Sequence, residues 1–285
     1  MRAHRGARRR QARGRAAPAR PGAARRGADL GRRPGPAQGG AAGVLPPGPG
    51  AVTDEGVLLF VWRGCVFRVP PGVQPPKAGS LLFCRTLGVR PGERVLEIGS
   101  GVGLAAVLAA RAGASVVATD VLPEAVAAIR ANALLNGVSV DARLGDCYAP
   151  VAGERFDVIC TNPPQMPTPP GRERDDPAAA ADNGGPDGWA ILDRVIAGAP
   201  AHLRPGGRLV FSLFAFLGPK TAFAKLEAAG LRPSVLAREL QPFPRLGYER
   251  LEHLRRVDAE GTLPRTELPR TVERLVLQGL APGAA

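Results

Sequence analysis

Between Arg94 and Phe214 the chain alternates short apolar runs rich in β-branched residues with longer segments of helical spacing. That alternation leaves few possible folds. RVLEIG at 94–99 precedes the helical pattern VGLAAVLAARAG at 102–113, and SVVATD at 115–120 precedes LPEAVAAIRANALLNG at 122–137. VSVDARLGD reads as a third strand, RFDVICTN at 155–162 as a fourth, WAILDRVIAGAPAHL at 189–203 as a helix, and 208–214 as a fifth strand. Strands joined by helical crossovers pair in parallel and need helices over both faces. The expected architecture is a doubly wound, mostly parallel α/β sheet. KTAFAKLEAAG adds a helix and VERLVLQGL a late strand placed at the sheet edge, while the charged, proline-marked stretch 240–270 yields no assignment.

Charge is unevenly distributed. The chain has 285 residues and a net charge of +13, but residues 1–50 hold twelve arginines against one acid, Asp29. The remainder, 51–285, is therefore nearly balanced. The tail has few apolar residues larger than Ala, so it reads as disordered, basic and low in complexity. It is a nucleic-acid contact, a targeting segment or a dispensable extension, and its charge says nothing about a substrate. For the folded part, nucleic acid is the less favoured partner, because no stripe of alternating aromatic and basic residues is present. Residues 51–80 form a short lead-in with hairpin character, and 81–285 the core. Four cysteines at 65, 84, 147 and 160 show no CxxC spacing, which gives no metal cluster and no disulfide framework. No run has the length of a membrane span. A soluble, cytoplasmic protein is expected.

In a doubly wound sheet, ligands lie beyond the carboxyl ends of the strands, where strand order switches. EIGSGVG places Glu97, Gly99, Ser100, Gly101 and Gly103 there, between the first strand and its helix. Asp120 ends the next strand, 21 residues after Gly99, and either accepts from ribose hydroxyls or caps the following helix. The third glycine falls one position short of the dinucleotide fingerprint, and no GxxxxGK[ST] is present. Glu97 would repel a phosphate and favour a cationic ligand. S-adenosylmethionine, with ribose, adenine and a sulfonium but no phosphate, fits these residues. Asp146, in LGDC, is either an acceptor for an adenine amine or a turn acid.

DVICTNPPQM at 157–166 puts Asn162, Pro163, Pro164 and Gln165 at the same crevice. The Asn162 and Pro163 carbonyls can accept two hydrogen bonds from an acceptor nitrogen and aim its lone pair at a methyl group. The bland alternative is a strand ended by prolines. VLEIGSGVG, ATD and DVICTNPP together resemble the class I S-adenosylmethionine-dependent methyltransferases that modify planar nitrogens. Among these the chain is most similar to the protein-glutamine N5-methyltransferases that act on release factors. GVQPPKAGSLLF resembles their lead-in, and NGGPDGWAILDRVI at 183–196 resembles their Gly-Gly-x-Asp-Gly segment. The resemblance covers roughly 57–215 and implies a seven-stranded Rossmann-like methyltransferase sheet. It also implies cofactor contacts at Glu97, Gly99, Gly101, Asp120 and Asp146, and acceptor contacts at Asn162 and Pro163.

Two departures stand out. Gln165 occupies the position where the family carries Tyr or Phe against the planar acceptor. A short lead-in and an arginine-rich tail stand where the relatives have a helical amino-terminal domain. The expected activity is methylation of a planar amide or amino nitrogen, with a protein glutamine leading. A small-molecule metabolite and adenine in RNA follow as acceptors, and a catalytically silent cofactor-binding module is the alternative outside enzymes. The polar stretch 167–188 is read as either a substrate lid or an unstructured insertion.

Overall fold

The computed structural model describes residues 57–172 and 181–283. The arginine-rich tail and the middle of the stretch read as a lid lie outside them. A hairpin, β1 (Leu58–Trp62) and β2 (Cys65–Val69), leads into α1 (Ala78–Thr86). The core follows as β3 (Arg94–Ile98), α2 (Leu104–Arg111), β4 (Ser115–Asp120), α3 (Pro123–Leu135), β5 (Asp141–Leu144) and β6 (Phe156–Thr161). After it come α4 (Ala190–His202), β7 (Leu203–Phe214), α5 (Pro219–Ala228) and β8 (Arg232–Pro242). Two short helices, α6 (Arg245–Glu249) and α7 (Leu251–Val257), precede β9 (Thr271–Leu280).

The seven strands β3–β9 form one sheet in the order β5-β4-β3-β6-β7-β9-β8. β3 pairs in parallel with both β4 and β6, so the chain reverses its winding direction at β3. The crevice above that reversal is bounded by the ends of β3, β4 and β6. Successive residues of the central strands are buried on opposite faces, as expected for parallel strands covered on both sides. Leu96, Ile159, Leu209 and Phe211 pack with α4, while their neighbours Val95, Val158 and Val210 pack with α2 and α3.

The late strand is not at the edge. β9 lies between β7 and β8 and is antiparallel to both. Its Leu275, Val276 and Leu277 are fully buried, a run that needs cover on two faces. The edge on this side is β8, where Leu236, Arg238 and Leu240 are exposed and Ala237, Glu239 and Gln241 are the better-covered positions. Small and polar residues on the covered face gave the stretch no apolar strand signal.

The hairpin is fastened to α3 by two asparagines four residues apart, and therefore on one helix face. Asn132 takes the Arg68 N–H at 2.8 Å and donates to the Arg68 and Val102 carbonyls at 3.0 and 2.9 Å. Asn136 takes the Val66 N–H at 2.9 Å and donates to the Val66 carbonyl at 2.7 Å. Each amide substitutes for a ladder partner at alternate residues of β2. Through Val102, Asn132 also steadies the glycine loop.

Candidate active site

A cavity of about 850 Å³ opens at the crevice, lined by the glycine loop, Asp120, Asp146, the loop after β6 and Arg274. The glycine loop supplies its wall. Gly99, Gly101 and Gly103 adopt φ of +67°, +56° and +78°, a left-handed region that costs other residues energy. Around Gly99 and Gly101 a Cβ would meet no atom within 4 Å, so the missing side chains leave bare backbone beside open space. At Gly103 a Cβ would stand 3.3 Å from Ile129, so that glycine serves the packing of α2 on α3.

The loop's N–H groups are already occupied. Gly99 and Ser100 donate to the Thr119 carbonyl, Gly103 to the Ser100 carbonyl, and Gly101 to Asp120 Oδ2 at 2.9 Å. A phosphate cradle needs such donors free; this loop offers none of the four. The side chains nearest the loop are carboxyls instead. Glu97 is buried, accepts the Ala106 N–H at 2.8 Å, and is pushed up to about 8 by burial, against the pull of Ser100 and Ala106. Asp120 makes two local contacts: Oδ1 takes the N–H of Leu122, the residue before α3, and Oδ2 takes the Gly101 N–H and ties the loop, a contact the sequence did not suggest. Each oxygen keeps a further acceptor site at the cavity. Bare backbone, occupied donors and the Asp120 and Glu97 carboxyls suit a ligand with hydroxyls and without phosphate, and Glu97 adds attraction for a cation once it ionises. S-adenosylmethionine meets that description.

Asp146 also borders the cavity, but its Oδ2 binds Arg194 at 2.6 Å, and that hydrogen bond holds its carboxyl below the ordinary aspartate range. Cys147 beside it is buried with φ +46°, and burial pushes its thiol up to about 11, which suits filler rather than nucleophile.

Asn162 sits where β6 ends, its amide gripped at both ends. Nδ2 donates to Ser80 Oγ at 3.2 Å, and Oδ1 accepts from Ser212 Oγ. Arg274 Nη2 approaches the same Oδ1 at 3.4 Å, the outer limit of a hydrogen bond. Pro163 and Pro164 carry no N–H that could compete for those acceptors.

Gln165 is the sequence expectation that the geometry redirects. Expected to meet the acceptor, it is 2% exposed with its amide taken up by β7. Oε1 accepts the Phe214 N–H at 3.1 Å, and Nε2 donates to the Ser212 carbonyl at 2.8 Å and to Ser212 Oγ at 3.2 Å. The segment 182–185 runs beside it, with Met166 N donating to the Asp182 carbonyl and Gly184 N to the Met166 carbonyl. A Cβ at Gly184 or Gly188 would come within 2.7 Å of Gln165 backbone, which explains glycine at both positions of NGGPDG. Over the mouth, Gln74 and Lys77 of the lead-in hold Asp182 at 2.8 and 3.1 Å.

Three residues of this site escaped the sequence reading: Ser80, Ser212 and Arg274. Ser212 and Arg274 each interrupt an apolar strand, in LVFSLF and ERLVL, and a polar residue in a doubly covered strand is the available signal. Ser80 has no such signal.

The methyltransferase small domain family matches residues 73–168 of the chain. A putative protein N5-glutamine methyltransferase of Methanocaldococcus jannaschii is 35% identical over 185 residues, covering 65% of this chain and 93% of that protein. A release factor glutamine methyltransferase of Gloeobacter violaceus is 35% identical over 175 residues, 55% of this chain and 60% of its own length. Its counterpart in Cereibacter sphaeroides is 38% identical over 60% of this chain and 64% of itself. The match thus spans a little under two thirds of each of these two release factor enzymes. Among solved structures, the E. cuniculi Mtq2–Trm112 complex, responsible for methylating the termination factor eRF1, superposes with a TM-score of 0.51 at 20% identity, over 74% of this chain and 99% of that one. The T. thermophilus 16S rRNA N2 G1207 methyltransferase, solved with AdoMet and guanosine, gives 0.50 at 22% identity over 79% of this chain and 50% of that one. Both likenesses establish the fold. Among the described residues, no helix is long and apolar enough to cross a membrane.

Proposed function

The chain belongs to the methyltransferase small domain family of S-adenosylmethionine-dependent enzymes, and on that premise we propose that it methylates the side-chain amide nitrogen of a glutamine in a cytoplasmic protein. The observation that carries the reading is the Asn162 amide, clamped at the cavity floor between Ser80 and Ser212 beside a phosphate-free cofactor wall. The names of the relatives support glutamine as the acceptor.

When bound, S-adenosylmethionine supplies a methyl group already activated on a sulfonium. Glu97, Gly99, Ser100, Gly101, Asp120 and Asp146 are the residues that would hold it, with Gly103 keeping the loop packed on α3. The protein's remaining task is placement. An amide nitrogen is a poor nucleophile whose lone pair is delocalised, so it must be aimed. Asn162 Oδ1 and the Pro163 carbonyl accept its two N–H bonds, which fixes the plane of the amide. As the nitrogen gains the methyl group its N–H bonds become more acidic, and the same two oxygens stabilise that developing positive charge until one proton is released to solvent, leaving a neutral N-methyl amide. Oδ1 takes the Ser212 hydroxyl closely and Arg274 Nη2 at 3.4 Å, so an incoming N–H would share Oδ1 with the weaker Arg274 contact.

The test is transfer from methyl-labelled S-adenosylmethionine into extract separated into protein, RNA and small-molecule fractions, with the Asn162→Ala variant as reference. Label in a protein band that depends on Asn162, mapped by mass spectrometry to glutamine, is the expected result. Asn162-dependent label confined to small molecules or RNA would overturn the glutamine assignment. Equal labelling by wild type and variant would overturn the mechanism.

A further inference from the structure

We propose that Gln165, Ser212 and Arg274 act as positioning residues that decide which end of the Asn162 amide is presented to the acceptor. The proposal rests on Asn162 being the acceptor-binding group.

A carboxamide has two ends of nearly equal shape, one a donor and one an acceptor, and rotation by a half turn exchanges them. Only the oxygen end can receive an acceptor N–H. The hydroxyls of Ser80 and Ser212 cannot make the choice alone, since a hydroxyl donates or accepts with equal ease. The decision comes from groups with one role. Gln165 is the first: its Oε1 must face the Phe214 N–H and its Nε2 the Ser212 carbonyl, because those backbone partners admit no exchange. Nε2 is therefore a fixed donor toward Ser212 Oγ at 3.2 Å. With one acceptor site of Ser212 taken by Nε2, its proton is the group that meets Asn162 Oδ1. Backbone polarity in β7 thus reaches Asn162 through two side chains.

Arg274 is the second. Its guanidinium is donor-only, so a flipped Asn162 would set N–H against N–H at the place where Nη2 now lies 3.4 Å from Oδ1. Arg274 is 7% exposed, stacked 3.6 Å over the Phe214 ring, and among the described residues its Nε and Nη1 have no hydrogen-bond partner. Room for it is made at α1, where a Cβ on Gly79 would come within 2.8 Å of Nε and Nη2. A buried guanidinium with two idle nitrogens is costly to keep. Its remaining contact, at Asn162, is where a donor-only group has a use.

This assigns a role to the departure from the family pattern. Where relatives carry an aromatic ring after the paired prolines, this chain carries an amide that works behind Asn162 rather than against the acceptor. The ring face is given up, and orientation of the acceptor-binding oxygen is gained.

The chain has four asparagines, at 132, 136, 162 and 183. Protein labelled with ¹⁵N-asparagine therefore shows four side-chain NH₂ pairs, and Asn162→Ala identifies one of them. Wild type should give a single sharp Asn162 pair. Ser212→Ala, Gln165→Met and Arg274→Gln should each split or broaden that pair and slow Asn162-dependent methyl transfer about tenfold. Affinity for S-adenosylmethionine by calorimetry should stay within about twofold. Arg274→Lys, still donor-only, should restore the single pair and most of the rate. Gln165→Met strips partners from two backbone groups, so if it fails to fold, Ser212→Ala, which removes one hydroxyl, carries the test. An unchanged Asn162 pair in Ser212→Ala and Arg274→Gln, or Arg274→Lys as defective as Arg274→Gln, would overturn the proposal. The resonance readout needs no acceptor, and the rate is read on whichever fraction wild type labels, so loss of the glutamine assignment would leave the orientation test standing.

Discussion

Replacing Glu97 by Gln should change how stability depends on pH. Glu97 lies at the end of β3 with 5% exposure, and burial pushes its carboxyl from the ordinary 4.5 to about 8, with Asp120 adding to the shift and hydrogen bonds from Ser100 and Ala106 opposing it. The sign follows from proton counts. Between the two values the folded chain holds the proton and the unfolded chain has released it, so unfolding expels a proton and stability falls as pH rises. The contribution is fully present below about pH 4.5 and lost by about pH 8. Its steepest slope is about 1.4 kcal/mol per pH unit, and the accumulated loss is on the order of 5 kcal/mol. Gln has the shape of the protonated acid and still accepts the Ala106 N–H, so Glu97→Gln should remove the effect with little cost at low pH. Urea unfolding of both proteins from pH 5 to 8.5 gives the difference directly, since all other titrating groups are shared. The two curves should diverge by several kcal/mol toward pH 8. Parallel curves would show that Glu97 is already ionised in the fold, and the reasoning about its burial would fail. The same linkage makes a prediction for binding. A sulfonium keeps its charge throughout this range and favours ionised Glu97, so S-adenosylmethionine should bind more tightly as pH rises toward 8.

Gly101→Ala and Gly103→Ala should fail differently. Both force an alanine into the left-handed region at roughly 1–2 kcal/mol, but Gly101 faces open space and should mainly weaken cofactor binding. Gly103 also meets Ile129 and should lower the unfolding midpoint further. Asn132→Ala removes three buried hydrogen bonds between α3, β2 and the glycine loop, and should cost about 2–4 kcal/mol in urea unfolding. Asp146→Ala breaks a half-exposed ion pair worth less than about 1 kcal/mol, so calorimetry should show weaker cofactor binding at almost unchanged stability. If binding is unchanged, Asp146 is a turn acid.

Much of the scaffold was legible because parallel strands announce themselves. VLEI, VVAT and DVICT are runs that only a doubly covered sheet can hide, and the glycines and acids at their ends fall where ligands bind in such sheets. β8 was illegible for the complementary reason. In LARELQ the better-covered positions are Ala237, Glu239 and Gln241 while Leu236 and Leu240 are exposed, so no apolar alternation marks the strand, and the sheet-edge position expected for VERLVLQGL is one place too far out.

The site divides along a similar line. Residues that line the cavity through backbone or strand ends, such as Gly99, Gly101, Asp120 and Asn162, carry their position in the local pattern. Residues that act on Asn162 do not, because each arrives from a distant part of the chain: Ser80 from α1, Ser212 from β7, Arg274 from β9. Spacing in sequence cannot report contacts made across 50 to 112 residues. Gln165 shows the limit most clearly. Its neighbours Asn162, Pro163 and Pro164 suggest an acceptor contact, and an amide in the loop that lines the cavity reads that way from sequence. What turns it inward is the pairing of β7 with β6, which brings the Phe214 N–H and Ser212 carbonyl within its reach. The sheet register, which local sequence does not encode, converts a candidate substrate contact into support for the residue three positions before it.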